Sequence, residues 1–265
     1  MKKLIFVILT FVVLYSFYQL EFVKTGNDNF SETEVTTSLA QTEENEFIFD
    51  DFVAYYLKDQ EIYIVKLSNF QNLNLLYDPT NTKSLKEIIE SNNLNFAING
   101  GYFTDEKKHV GGLIINSDII NNFANNDQLT HVVALDEQHL ELSFYSYEDF
   151  INLDKKNFKF AFQTGPIVIN KGIIEYDFIN NSLNGNEKAL RSLIGKNNSN
   201  ELIFIVTRKV YDLQTLAEIL FEEEILGNEV TLINLDGGSS VAMYLKNLEK
   251  FQINENKILP NLITF

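Results

Sequence analysis

The sequence predicts an α+β fold: a large mixed, mostly antiparallel β-sheet core flanked by a few helices. Two observations carry that expectation. Short apolar runs rich in Ile, Val, Phe and Tyr recur from Phe52 to Leu235, separated by turns of Asn, Asp, Gly and Lys. Helix start signals are few, the clearest being Ser84 three residues ahead of Glu87, and Asp212 ahead of an amphipathic stretch. A hydrophobic content of 45% with 13% aromatic is enough to fill the core such a fold needs.

Three segments follow from composition. Met1-Lys2-Lys3 leads an apolar run from Leu4 to Tyr18 broken only by Thr10 and Ser16. A positive end before an apolar stretch reads as an export signal or a membrane anchor over residues 1–20. Anchoring is favoured, because the nearest small-x-small cleavage pattern, Ser38-Leu39-Ala40, stands well downstream. Residues 21–46 are an acidic, Thr/Asn/Ser-rich flexible linker, and residues 47–265 are expected to form one domain. The expected location is extracytoplasmic, either secreted or tethered to a membrane through the N-terminal segment.

The strands are then expected in order. Phe52–Lys58 and Glu61–Ser68 form a hairpin across Asp59-Gln60, with Leu73–Tyr77 following. A helix starts at the Ser84 capping box and runs to about Asn92. Further strands are expected over Asn95–Ile98, Leu113–Asn116, His131–Leu135, Leu140–Tyr145, Phe158–Gln163 and Ile167–Asn170. Arg191–Ile194 and Leu202–Thr207 make another pair, and a long helix from Asp212 is expected to end at Gly227. Thr231–Leu235 is the strand that feeds Asp236-Gly237-Gly238-Ser239-Ser240.

Charge and composition exclude several functions. The net charge of −16 opposes nucleic-acid binding, which needs a basic surface. Nine acidic residues between Glu21 and Asp51, against Lys24 alone, supply half of that charge, so the body is only mildly acidic. The absence of Cys removes disulfides, a thiolate nucleophile, Cys-ligated zinc and a lipoprotein anchor. His109, His131 and His139 show no metal-ligand spacing; His109 lies in a loop that could reach a site, and the other two lie on expected strands. No ligand set for a divalent cation can be named, and no P-loop, dinucleotide fingerprint or nucleophile elbow is present.

Three glycine-rich breaks follow apolar strands: Asn99-Gly100-Gly101, Thr164-Gly165-Pro166 and Asp236-Gly237-Gly238. Each alone reads as a turn; together they read as loops gathered at one site. Arg191 and Arg208 are the chain's two arginines, and Arg is the side chain suited to bidentate phosphate recognition. Arg191, at the start of a strand, is placed to reach a site; Arg208 reads as a surface ion pair.

The ordered set Phe96-Ala97-Ile98-Asn99-Gly100-Gly101-Tyr102-Phe103, Gly112-Leu113, Gln163-Thr164-Gly165-Pro166, Arg191-Ser192-Leu193-Ile194-Gly195, Leu216-Ala217 and Asn234-Leu235-Asp236-Gly237-Gly238-Ser239-Ser240 resembles the phosphodiester glycosidase family. The resemblance covers about residues 50–265. Two departures are the lack of a third glycine or proline after Gly238, and a longer Glu106-Lys107-Lys108-His109 segment.

The resemblance implies hydrolysis of a sugar-1-phosphodiester at the sugar C1–O bond, in a cell-surface glycopolymer or glycoconjugate, releasing sugar and a phosphomonoester. Glycoside cleavage normally uses two carboxyl groups. A phosphate leaving group is a weak base that needs little protonation, so one essential carboxylate can suffice. Asp236 is the candidate, as nucleophile or as base for water, and Asp105 is a weaker second carboxyl. Arg191 would hold phosphate oxygens, with backbone donors near Gly100, Gly101, Gly237 and Gly238, and Gly165 would also border the substrate. Asn99, Gln163, Thr164 and Ser239 would contact sugar or phosphate. Two other readings stay open: a phosphodiesterase cutting P–O, and a non-catalytic surface module that binds glycans.

Overall fold

The computed structural model describes residues 44–48, 52–69, 71–138, 140–182 and 185–265. The expected signal or anchor over 1–20, nearly all of the linker, and His139 lie outside these residues. Among the described residues, no helix is long and apolar enough to cross a membrane.

The chain opens with strands β1 (Glu44–Ile48), β2 (Phe52–Leu57), β3 (Ile62–Leu67) and β4 (Asn74–Tyr77), then helix α1 (Leu85–Asn92). The first strand thus begins inside the stretch read as linker. Next come β5 (Phe96–Asn99), β6 (Leu113–Ile115), β7 (Asp118–Asn121), β8 (His131–Asp136), β9 (Leu142–Ser146) and α2 (Tyr147–Ile151). Strands β10 (Phe158–Thr164), β11 (Ile167–Asn170) and β12 (Ile173–Ile174) lead into α3 (Tyr176–Asn181). The last part holds β13 (Ser192–Lys196), β14 (Leu202–Thr207), α4 (Leu213–Phe221), β15 (Thr231–Asn234), β16 (Met243–Leu245), β17 (Gln252–Ile253) and β18 (Asn261–Thr264).

The expected sheet core resolves into three sheets. An eight-stranded sheet has the order β1-β2-β3-β14-β13-β15-β11-β12. Two five-stranded sheets have the orders β7-β6-β10-β8-β9 and β17-β16-β5-β18-β4. Strand pairing among the described residues is antiparallel throughout.

Period-two alternation builds the layers. On β14, Leu202, Phe204 and Val206 enter a common core shared with Phe96 and Ile98 of β5 and Phe160 and Phe162 of β10. The alternate residues Ile203 and Ile205 face the other way, against Leu213, Leu216 and Leu220 of α4. The smaller sheets repeat this scheme. Helix α1 covers the outer face of one through Leu85 and Ile89 on Ala97, and α2 covers the other through Phe150 on Ile114 and Val132. Each sheet therefore buries one face in a shared core and the other beneath a helix. A fully buried Leu in such a layer contributes about 1.5–3 kcal/mol.

Local signals behave as their chemistry requires. Ser84 accepts from the Glu87 N–H at 3.2 Å, and Glu87 returns a bond to the Ser84 N–H at 2.7 Å, so the capping box forms. Asp212 caps α4 by accepting from the Thr215 N–H at 2.8 Å. The helix expected from Asp212 to Gly227 is interrupted, however: α4 stops at Phe221 and a separate 3-10 turn, Glu224–Leu226, ends at Gly227 with φ 78°. Glu222, Glu223 and Glu224 fall at the negative end of the helix dipole, where three carboxylates oppose continuation. Strand β9 begins at Leu142 where Leu140 was expected, because Leu140 has φ 51° and cannot pair in extended form.

Candidate active site

Buried polar side chains collect where strand ends from all three sheets meet. Asn99 closes β5, Gln163 and Thr164 close β10, Asn234 closes β15, and Ser192 opens β13 with Arg191 just ahead of it; each is no more than 2% exposed. Most polar groups this deep are paired. Their bonds show what each one holds.

Asn99 ties one five-stranded sheet to the eight-stranded sheet. Its Oδ1 accepts from the Ser192 hydroxyl at 2.7 Å and the Ala242 N–H at 3.2 Å. Its Nδ2 donates to the Asp236 carbonyl at 2.7 Å. Asp236 N–H in turn donates to the Gly100 carbonyl at 3.3 Å. The main chain on both sides of the Asp236 Cα is thus pinned by the Asn99-Gly100 strand end.

Thr164 and Gln163 brace the site from the other five-stranded sheet. The Thr164 hydroxyl donates to the Asn234 carbonyl at 2.8 Å. Gln163 is spent on the 112–129 segment: its Oε1 accepts from Gly112 N–H at 2.8 Å and Ala124 N–H at 3.2 Å, and its Nε2 donates to the Ala124 carbonyl at 2.8 Å. Asn99, Gln163 and Thr164 were expected at the substrate. Their polar atoms are engaged within the protein, and none of the three lines the cavity.

That cavity encloses about 370 Å³ and is walled by Tyr102, Phe103, Gly165, Pro166, Arg191 and Asn234, among others. Tyr102 donates its phenol proton to the Gly165 carbonyl at 2.9 Å and accepts from Asn234 Nδ2 at 2.6 Å. The Gly165-Pro166 peptide bond in this wall is cis. Asn234 Oδ1 is buried with no hydrogen-bond partner. Neither Tyr102 nor Asn234 stood out as a site residue in the sequence. The available signals were an aromatic directly after a glycine pair, and an amide ending an otherwise apolar strand.

Arg191 enters the cavity from the start of β13. Its Nε donates to the Tyr211 carbonyl at 2.9 Å, and its guanidinium also donates to the Glu187 carbonyl. Burial pulls its pKa down, opposed by Tyr102, Asp212 and Glu187, yet a guanidinium stays charged. It is a fixed cation in a wall that is otherwise apolar or neutral.

Asp236 stands two residues beyond Asn234, half-buried. Burial pushes its pKa up from the ordinary 3.8 to about 6, against hydrogen bonds from the Ser240 side chain and the Gly237 backbone. It is not part of the cavity wall, but its charge is felt there. Burial, and then the Asp236 carboxylate, raise the Tyr102 phenol well above its ordinary range. Asp236 and Arg191 each act electrostatically on the Tyr102 phenol, in opposite directions.

The expected glycine donors divide. Gly100 N–H is engaged with the Asn261 carbonyl at 3.2 Å and Gly238 N–H with the Leu190 carbonyl at 2.8 Å. Gly238 has φ 57°, the left-handed region a turn here demands. A Cβ at Gly100 would stand 2.5 Å from Asn261 Oδ1, so close sheet packing requires that glycine. Gly101 is buried against His109 and Phe162, Gly165 lines the cavity, Gly237 is half-buried, and Ser239 is exposed. Asp105 is exposed and does not line the cavity. His109 is buried edge-on to Tyr77 and Phe162, and burial pulls its pKa down to about 4. Arg208 packs over the Tyr63 ring, its guanidinium carbon 5.5 Å from the ring centroid. Among the described residues, no three His, Asp or Glu side chains are grouped to hold a metal ion.

Comparison with known proteins gives three findings. Residues 92–263 match the family model described as phosphodiester glycosidase. The fold resembles the zebrafish N-acetylglucosamine-1-phosphodiester alpha-N-acetylglucosaminidase catalytic domain, auto-inhibited by its pro-peptide, with TM-score 0.60 and 17% identity over 86% of this chain and 84% of that one. It also resembles a hypothetical protein from Synechocystis, with TM-score 0.51 and 13% identity over 83% of this chain and 61% of that one. At these identities the likeness is one of fold. No curated protein sequence matches the chain.

Proposed function

This chain belongs to the phosphodiester glycosidase family, and from that premise we propose that it is a hydrolase cleaving the C1–O bond of a sugar-1-phosphodiester. The observation that carries the reading is Asp236. A carboxylate held at a strand end by two sheets, with its pKa raised to about 6, lies within electrostatic reach of a cavity whose wall contains a buried arginine. A carboxylate whose pKa is strongly perturbed beside a cavity is a functional-site candidate.

In this reading Arg191 neutralises the departing phosphate. As the C1–O bond lengthens, the electron pair stays on the phosphate oxygen and positive charge builds on the sugar ring. The Asp236 carboxylate opposes that charge. It either attacks C1 to form a glycosyl-enzyme that water then opens, or removes a proton from the water that attacks C1. The first route retains the anomeric configuration and the second inverts it. The neutral Tyr102 phenol, held by the Gly165 carbonyl and Asn234 Nδ2, lines the cavity that the sugar would occupy. The expected substrate is a cell-surface glycopolymer or glycoconjugate, met outside the cytoplasm by a protein exported through its N-terminal segment, with residues 47–265 as the catalytic domain.

The test is hydrolysis of an α-sugar-1-(methyl phosphate) diester by the full chain in oxygen-18 water. The reading expects free sugar labelled at C1 and unlabelled methyl phosphate. Label in the phosphate would identify P–O cleavage instead. Binding without turnover would identify a glycan-binding module.

A further inference from the structure

A second cavity, of about 720 Å³, adjoins the Arg191 cavity and shares Asn126 and Gln128 with it. The shared loop is built in place: Asn126 Oδ1 accepts from the Gln128 N–H at 2.7 Å and the Leu129 N–H at 3.1 Å. The chemistry of the two walls differs. The second carries three carboxylates, Asp127, Glu148 and Asp177, together with the rings of Tyr147 and Phe178. Phe178 is 41% exposed and stands edge-on to His131, ring centroids 5.7 Å apart. Burial pulls the His131 pKa down to about 4, so that wall holds no imidazolium at neutral pH.

We propose that the two cavities form one cleft, which takes a glycosyl group longer than a single sugar. The phosphate end lies at Arg191, and a further uncharged or amine-bearing sugar unit lies between Phe178, Tyr147 and the carboxylates. The proposal rests on the phosphodiester glycosidase reading for its polarity. A sugar ring offers hydroxyls that both donate and accept, and an apolar face of C–H groups. Carboxylates and amides match the hydroxyls, and the exposed Phe178 ring and half-buried Tyr147 ring match the face. The acidic wall repels phosphate and uronate groups, which directs the anionic end of the substrate toward the one buried guanidinium in the first wall.

Two measurements on the full-length protein test this. In the first, kcat/KM is compared for monosaccharide and neutral trisaccharide 1-(methyl phosphate) diesters. The longer substrate is expected to gain about tenfold, as one or two ring contacts provide. Phe178→Ala and Tyr147→Ala are expected to bring the ratio of the two toward one. A ratio near one in the unsubstituted protein, or a ratio that survives both substitutions, overturns the proposal. In the second, saturation-transfer NMR is recorded with free neutral trisaccharides and with a galacturonate trimer. Transfer to a neutral trimer, lost in Phe178→Ala, supports the cleft even if no diester is hydrolysed, in which case only the hydrolase reading fails. No transfer to any neutral trimer, or equal transfer to the galacturonate trimer, overturns the cleft even if the monosaccharide diester is cleaved.

Discussion

Two strand ends with nearly the same sequence do different work. Asn99-Gly100-Gly101 ends β5 and Asp236-Gly237-Gly238 follows β15, each a short polar side chain before a glycine pair. Asn99 is 1% exposed and bonded through both amide atoms to Ser192, Ala242 and Asp236. Asp236 is half-buried, and its carboxyl is held by Ser240 and Gly237. The amide can satisfy donors and acceptors at once and so suits a joint between sheets. The carboxylate accepts only, keeps a desolvated charge, and is left with reactivity to spend.

Substitution at each member should separate the two roles. Asp236→Asn is expected to lower kcat by on the order of a thousandfold or more while the fold persists, as measured by diester hydrolysis and circular dichroism. Asn99→Ala should do the reverse in character. It strands the Ser192 hydroxyl, the Ala242 N–H and the Asp236 carbonyl, so unfolding in urea should show a loss of about 3–5 kcal/mol. If Asn99→Ala were instead as stable as the parent, the joint would not depend on that amide.

The pH dependence sharpens the contrast. The folded Asp236 carboxyl binds its proton with a pKa of about 6, against an ordinary 3.8. Its contribution to stability is therefore full below pH 3.8 and is lost as pH rises through 6. Asp236→Asn removes that loss, so the variant should be the more stable protein at pH 7.5, by about 2–3 kcal/mol, with the gap closing toward pH 4. The hydrolysis rate should move oppositely, falling below pH 6 as the carboxylate is protonated. Ser240→Ala removes a bond that favours the charged form and should shift that acid limb to higher pH. The smallest effect is expected at the other arginine: Arg208→Ala, losing one contact with Tyr63, should cost about 0.5–1 kcal/mol and leave hydrolysis unchanged.

Local pattern determined a large part of this protein. Alternation along Leu202–Thr207, the Ser84 capping box and the Asp212 cap are written in neighbouring residues, because side-chain direction and orphan N–H groups depend only on nearby chain. The family resemblance was legible for a related reason, since its motifs are contiguous strand ends. Strands such as Met243–Leu245 and Asn261–Thr264 were not foreseen: they are short, and both are extended by pairing with Phe96–Asn99, far away in sequence. The division of labour among the polar residues also needed the tertiary structure. Burial and hydrogen bonding are decided by what packs on top, so only the assembled sheets could assign Asn99, Gln163 and Thr164 to the frame. The same assembly brought Tyr102 and Asn234 to the cavity wall and raised the pKa of Asp236.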